Sequence, residues 1–303
     1  MTEHNSNDND SNSDNRDSND AVGTVLVVGS TGKTGRRVVE RLEARGITVR
    51  HGSRGSATPF DWDDPATWAP AVAGVDQAYI TYYPDLSFPG AAERMTELAR
   101  LAREAGVRHL VLLSGRGEPG ALVSEDAVRA VGPQLTVVRA SWFAQNFTEG
   151  MLAGTVESGT LALPAGDVPE PFIDVDDIAD VAVAALTGEA AGGEVYEVSG
   201  PRLMTMPEVA ADLAAATGRP VSYVPITTEQ FVAGLAGLGL PAEEAEATGQ
   251  LLADLLDGRN ASLTDGVQRA LGRPAKDFAA FARDAAAAGA WDLTPGAQSV
   301  EAS

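Results

Sequence analysis

Residues 24–35 read TVLVVGSTGKTG, an apolar run that passes directly into Gly29-x-x-Gly32-x-x-Gly35. A helical pattern follows at once, with Val38, Val39 and Leu42 on one face. Strand, glycine turn and helix in that order make an anion site. The glycines let the backbone approach a pyrophosphate, and the helix N-terminus offers free N–H groups and a positive dipole end. The glycine triplet alone says little; its place between strand and helix carries the reading. Gly32-Lys33-Thr34 also invites a nucleoside-triphosphate reading, but that motif needs a glycine where Val27 stands inside the strand. ATP or GTP hydrolysis is therefore rejected.

Working outward, apolar runs recur with helical segments between them. Strands are expected at Val25–Val28, Ile47–Arg50, Gln77–Thr81, His109–Leu113, Thr136–Arg139 and Val195–Val198. Helices are expected at Gly35–Ala44, Pro65–Val72, Ala91–Ala105, Glu125–Val131 and Ile178–Leu186. Alternating strands and helices predict an α/β fold, a Rossmann-type doubly wound parallel sheet. Beyond Gly200 the strand signal shrinks to Val221–Val224. Helical stretches dominate there, at Pro207–Thr217, Thr228–Leu238, Glu243–Leu256 and Phe278–Ala288. The expected layout is a disordered polar tail over 1–21 and a dinucleotide-binding domain over 22–200, with 143–171 on the substrate side. A smaller, mostly helical substrate lobe follows over 201–290, then a flexible tail over 291–303.

The first twenty residues are mostly Asn, Asp and Ser, and Met1 is their only large apolar residue, so they cannot bury enough surface to order themselves. The chain shows neither the apolar core of a signal peptide nor a membrane-length run, and it has no cysteine. A cytoplasmic location is expected. The net charge of −21 repels nucleic-acid phosphates, so a small molecule is the expected partner. The acidity either favours a cationic or neutral ligand or simply keeps the protein soluble. His4, His51 and His109 are widely separated, and no metal site is expected.

In such folds the end of the second strand reads the adenosine ribose. A carboxylate there accepts the 2′-hydroxyl of NAD, and an arginine accommodates the 2′-phosphate of NADP. No acidic residue lies between Glu43 and Asp61, whereas ITVRHGSRGS supplies Arg50, His51, Ser53 and Arg54. NADPH is thus preferred over NADH, with Arg54 as the phosphate clamp. Arg50, inside the strand, is expected to face solvent or an ion pair.

The chain has two lysines, Lys33 and Lys276, and neither follows a tyrosine by four residues. The Tyr-x-x-x-Lys proton relay of short-chain dehydrogenases is absent. Tyr82 and Ser114, both at strand ends, are the remaining catalytic candidates; Ser114 equally fits a turn cap. Tyr82 and Tyr83 fit proton donation, stacking or rim packing, and Tyr83 is expected among the walls of the substrate pocket. Trp142, Phe143 and Phe147 would wall an aromatic pocket, with at least one of them serving the core. Asp174, Asp176 and Asp177 look like paired catalytic acids but precede a helix, where acids cap.

GSTGKTGRRVVERL, GVDQAYITYYPDL, HLVLLSGRGE, VVRASWFAQNF, PFIDVDDIADVAVAAL and TDGVQRALGR resemble the NmrA-like branch of atypical short-chain dehydrogenases, particularly the agroclavine dehydrogenase type. The resemblance spans residues 24–285. It implies an NADPH-binding Rossmann core, with Gly29, Thr31, Gly32, Lys33, Thr34 and Gly35 along the pyrophosphate. It places Arg54 at the 2′-phosphate beside Ser53, and Asp61 near the adenine from the third strand's end in FDWDD. Thr81 and Tyr82 would flank the adenosine side, and Ser114, Trp142 and Phe143 the nicotinamide. The resemblance implies reduction of a C=N bond or an activated double bond. Its regulator members imply the alternative, a non-catalytic protein that senses NADP. Without the relay, an iminium is the suited acceptor, because hydride addition neutralises its charge and no acid is needed.

Overall fold

The computed structural model describes residues 22–150 and 152–292. Strand β1 (Val25–Val28) is buried throughout, as a central strand of a parallel sheet covered on both faces must be. The glycine turn leads into α1 (Lys33–Ala44), then β2 (Val49–Gly52), α2 (Trp68–Val72) and β3 (Gln77–Ile80). Next come α3 (Ala91–Glu104), β4 (His109–Gly115), α4 (Pro119–Val131) and β5 (Gln134–Ala140). After α5 (Ala153–Glu157) and β6 (Thr160–Leu163), helix α6 (Val175–Thr187) and β7 (Val195–Val198) complete the main sheet. Its order is β2-β1-β3-β4-β5-β7, with every neighbouring pair parallel. The order reverses between β1 and β3, which opens the ligand crevice beyond their carboxyl ends. This is the doubly wound Rossmann-type sheet expected from the sequence.

Alternate residues of β1 feed opposite cores. Val25 and Val27 join α1 and α6; Leu26 and Val28 join α2, α3 and α4. Helix α6 is buried almost all round, and alanines at 179, 182, 184 and 185 let it lie close between the sheet and α1. β2 starts two residues later than its apolar run because the Ile47 N–H still closes onto the Leu42 carbonyl of α1.

The remaining elements are α7 (Met206–Thr217), β8 (Ser222–Pro225), α8 (Thr228–Gly237), α9 (Ala242–Leu255), α10 (Gly266–Leu271) and α11 (Phe278–Ala287). A third core gathers Phe147, Phe172, Met204, Leu213, Phe278 and Phe281. β6, which the sequence reading missed, pairs in parallel with β8 across that lobe. α10 lies within the range expected for the helical lobe but packs on α6 and β7. A Cβ on Gly266 would stand 2.1 Å from the Glu197 carbonyl oxygen, so only glycine permits that approach. Trp291, expected in the C-terminal tail, is buried, and its indole N–H donates to the Phe147 carbonyl at 2.7 Å. Residues 1–21 and the rest of that tail lie outside the described residues. No described helix is long and apolar enough to cross a membrane.

Candidate active site

The glycine turn is closed by contacts that only glycine allows. Gly29 has φ of 74°, and a Cβ there would lie 2.1 Å from Thr81 Oγ1 at the end of β3. A Cβ on Gly35 would lie 2.1 Å from the Gly29 carbonyl oxygen, so α1 starts directly against the turn. Gly32 occupies the N-cap without a capping side chain, which leaves the first N–H groups of α1 for an anion. Thr31 is exposed at the rim and Thr34 is buried beneath. Ser30 Oγ is buried with no hydrogen-bond partner among the described residues. The open backbone, the uncapped N–H groups and this orphaned hydroxyl fit a pyrophosphate.

At the adenosine end, Arg54 is exposed and has no ion-pair partner among the described residues. It rides on a tight turn in which Ser53 Oγ meets Ser56 Oγ at 2.7 Å. Arg50, expected in solvent or an ion pair, instead donates to the Ala71 and Ala73 carbonyls that end α2. Asp61 does not lie at a strand end: FDWDD is an irregular segment before α2, where the Asp61 carbonyl accepts from the Trp68 indole at 2.7 Å. Thr81 Oγ1 donates to the Val28 carbonyl, and the Tyr82 ring packs 4.7 Å from Trp62.

Beyond the turn, a cavity of about 310 Å³ lies at the carboxyl ends of β3, β4 and β5. Lys33, Tyr82, Ser114, Trp142 and Phe143 all line it, so the structure brings these together. Leu251, Leu255 and Leu256 close it from α9. Two expected wall residues are elsewhere. Tyr83, in the irregular backbone after β3, is 78% exposed and does not line the cavity. Phe147 is buried in the third core between Phe172 and Phe278. The Lys33 ammonium donates to Asn146 Oδ1 at 2.6 Å, and its burial lowers its pKa. Ser114 is not a turn cap: its hydroxyl donates to Glu125 Oε1 at 2.6 Å, and Arg139 clasps the same carboxylate. Its proton is therefore committed to a structural ion pair.

Besides Lys33, the cavity carries charged residues that the sequence reading missed. Glu118 sits just before Pro119, where an acid reads as a helix cap, and only its burial and its neighbour Asp85 mark it out. Burial, then the Asp85 charge, push the Glu118 carboxyl up to about 8. Glu170 is held by reciprocal backbone hydrogen bonds to Met204, and burial pushes its carboxyl up to about 7 against the opposing effects of the Trp142 N–H and Arg116. Arg116 turns its guanidinium to the Asn260 and Ser262 carbonyls. The acid cluster at the start of α6 is structural: Asp176 and Asp177 lie in its first turn and not before it. Asp174 caps the helix, Asp176 pairs with Arg37 and Arg41, and Asp177 pairs with Arg273. His109 bonds Gln77 and Thr136 inside the sheet.

A sequence model of the NmrA-like family matches residues 123–253. The chain is 35% identical over 257 residues to the NAD(P)H azoreductase of Xenophilus azovorans, covering 82% of this chain and 85% of that one. The chain belongs to the NmrA-like family. Agroclavine dehydrogenase of Claviceps fusiformis is 31% identical over 236 residues, 74% of this chain and 82% of that protein. The structure of Citrobacter sp. triphenylmethane reductase complexed with NADP(H) shares the fold of this NmrA-like protein. Its TM-score is 0.71 at 22% identity, over 87% of this chain and 99% of that one. Both sequence relatives are named as oxidoreductases.

Proposed function

We propose that the protein is an NADPH-dependent reductase acting on a small acceptor with a C=N or activated double bond. The observation that carries the reading is the cavity. It adjoins the glycine turn and is walled by Trp142, Phe143 and the leucines at 251, 255 and 256, in a chain whose sequence holds no Tyr-x-x-x-Lys pair. The relationship to NAD(P)H azoreductase and agroclavine dehydrogenase supports it. The turn from Gly29 to Gly35 would hold the pyrophosphate and Arg54 the 2′-phosphate, with Ser114, Trp142 and Phe143 beside the nicotinamide. The bound cofactor supplies a hydride. The chain's own part is to exclude water, orient the acceptor between aromatic and leucine walls, and manage any proton.

The test is a panel of cyclic iminium salts, activated alkenes, azo compounds, quinones and simple ketones, followed by NADPH absorbance. Turnover is expected on the C=N and activated acceptors. Turnover on simple ketones alone overturns the reading. Stoichiometric NADP(H) binding with no hydride transfer would favour a cofactor-sensing regulator.

A further inference from the structure

We propose that Glu118 is the proton donor of this site, filling the place left by the missing tyrosine–lysine relay; the inference rests on the reductase reading. Its carboxyl lies flat over the end of β4. A Cβ on Gly115 would stand 2.1 Å from Glu118 Oε1 and 2.4 Å from Oε2, so the glycine beside Ser114 is what admits the acid. Glu118 is 9% exposed and lines the acceptor cavity. Its Oε2 accepts from Ser87 Oγ at 2.8 Å, and the Asp85 carboxyl shares a hydrogen bond with it.

The pair is held firmly. Ser124 Oγ donates to the Leu86 carbonyl at 3.0 Å, and a Cβ on Gly120 would stand 2.7 Å from the Ser87 Cα, so the loop over 85–88 is pressed against the start of α4. Glu118 is buried with a second carboxyl beside it, which disfavours its charged form, so its proton stays on near neutral pH. Half-buried Asp85 and Ser87 connect that proton to solvent. The carboxylate left after donation sits at the N-terminus of α4, where the helix dipole favours it. The other charged groups lining the cavity are Lys33, held by Asn146, Arg116, held by the Asn260 and Ser262 carbonyls, and Glu170 on the segment before α6.

When an uncharged acceptor takes up hydride, an electron pair moves onto its oxygen or nitrogen, and that atom takes the Glu118 O–H proton. Water returns the proton through Asp85 and Ser87. The sum is one hydride from NADPH and one proton from solvent per acceptor reduced. An iminium ion ends neutral on hydride addition and draws no proton.

The test compares wild type with Glu118→Gln on a quinone and on a cyclic iminium salt. The expected result is a loss of about 10²- to 10⁴-fold on the quinone near pH 7, well beyond any loss on the iminium salt. A second readout needs no turnover. Apoprotein labelled with ¹³C at glutamate Cδ should show a carboxyl titrating above pH 7 that is missing in Glu118→Gln and moves to lower pH in Asp85→Asn. Equal loss on both acceptors, no loss on the quinone, or no such titration overturns the assignment to Glu118 and leaves the reductase reading standing. Wild-type protein that reduces neither acceptor class overturns the reductase reading and this inference with it.

Discussion

The Lys33 ammonium and Asn146 Oδ1 meet at 2.6 Å, which ties the glycine turn to the segment after β5 across the crevice. This places a half-buried cation where the glycine turn opens into the cavity, beside the proposed pyrophosphate site. A charge-assisted hydrogen bond to phosphate contributes about 1.5–3 kcal/mol, so Lys33→Met should weaken NADPH binding about 10- to 100-fold by calorimetric titration. Unchanged affinity would reduce Lys33 to a tether.

On the proposed reading, Arg54 is the clamp at the cofactor's far end. Arg54→Asp replaces an attractive contact with a repulsive one and offers a carboxylate to the ribose 2′-hydroxyl. NADPH binding should weaken about 10- to 100-fold while NADH binding holds or improves. Equal weakening of both, or wild type binding both alike, would move the clamp away from this residue.

Gly35→Ala should damage fold and site together. The added Cβ would stand 2.1 Å from the Gly29 carbonyl oxygen, a backbone atom that cannot swing aside. The cost should be about 1–3 kcal/mol in urea unfolding, with loss of NADPH affinity. Gly154→Ala is the control: nothing lies within 4 Å of its Cβ in α5, and it should be neutral or stabilising by up to about 1 kcal/mol.

The buried ion pair behind Ser114 is structural. Glu125, 1% exposed, accepts two hydrogen bonds from Arg139 and one from Ser114. Glu125→Ala leaves a guanidinium without its main partner and should cost about 3–5 kcal/mol by chemical denaturation. A cost below about 1 kcal/mol would mean that water replaces the carboxylate there.

Stability should carry the signature of Glu118. Its carboxyl titrates at about 8 when folded and near its ordinary 4.5 when unfolded, so between these values the folded state binds the extra proton. Its contribution is fully present below the unfolded pKa and is lost as pH rises through about 8. Glu170, pushed up to about 7, acts with the same sign. Urea titrations at pH 5 and 8.5 should show a smaller decline for Glu118→Gln than for wild type. Parallel declines would contradict the shift.

The parts of the molecule legible in the sequence are those written contiguously. The strand, glycines and first helix carry their meaning within twenty residues. β6 was illegible because its partner β8 lies some sixty residues on and each strand has only four residues. Tyr82 and Tyr83 have the same chemistry, and only the path of the irregular backbone after β3 puts one against Trp62 and the cavity and the other in solvent. Phe147 reads as a pocket residue until Phe172 and Phe278 converge on it from distant segments. Glu118 and Glu170 are single acids among many, and what distinguishes them is desolvation, a property of the assembled fold.

The two ends of the crevice are written in separate stretches of the gene. On the proposed reading the cofactor grip comes from residues before 83, whereas the leucines that wall the cavity are 251, 255 and 256, on α9 and its end. Drift or exchange of that one helix can therefore reshape which acceptors enter while the coenzyme choice is inherited intact. One ancestral redox scaffold can in this way supply descendants that share a fuel and differ in diet.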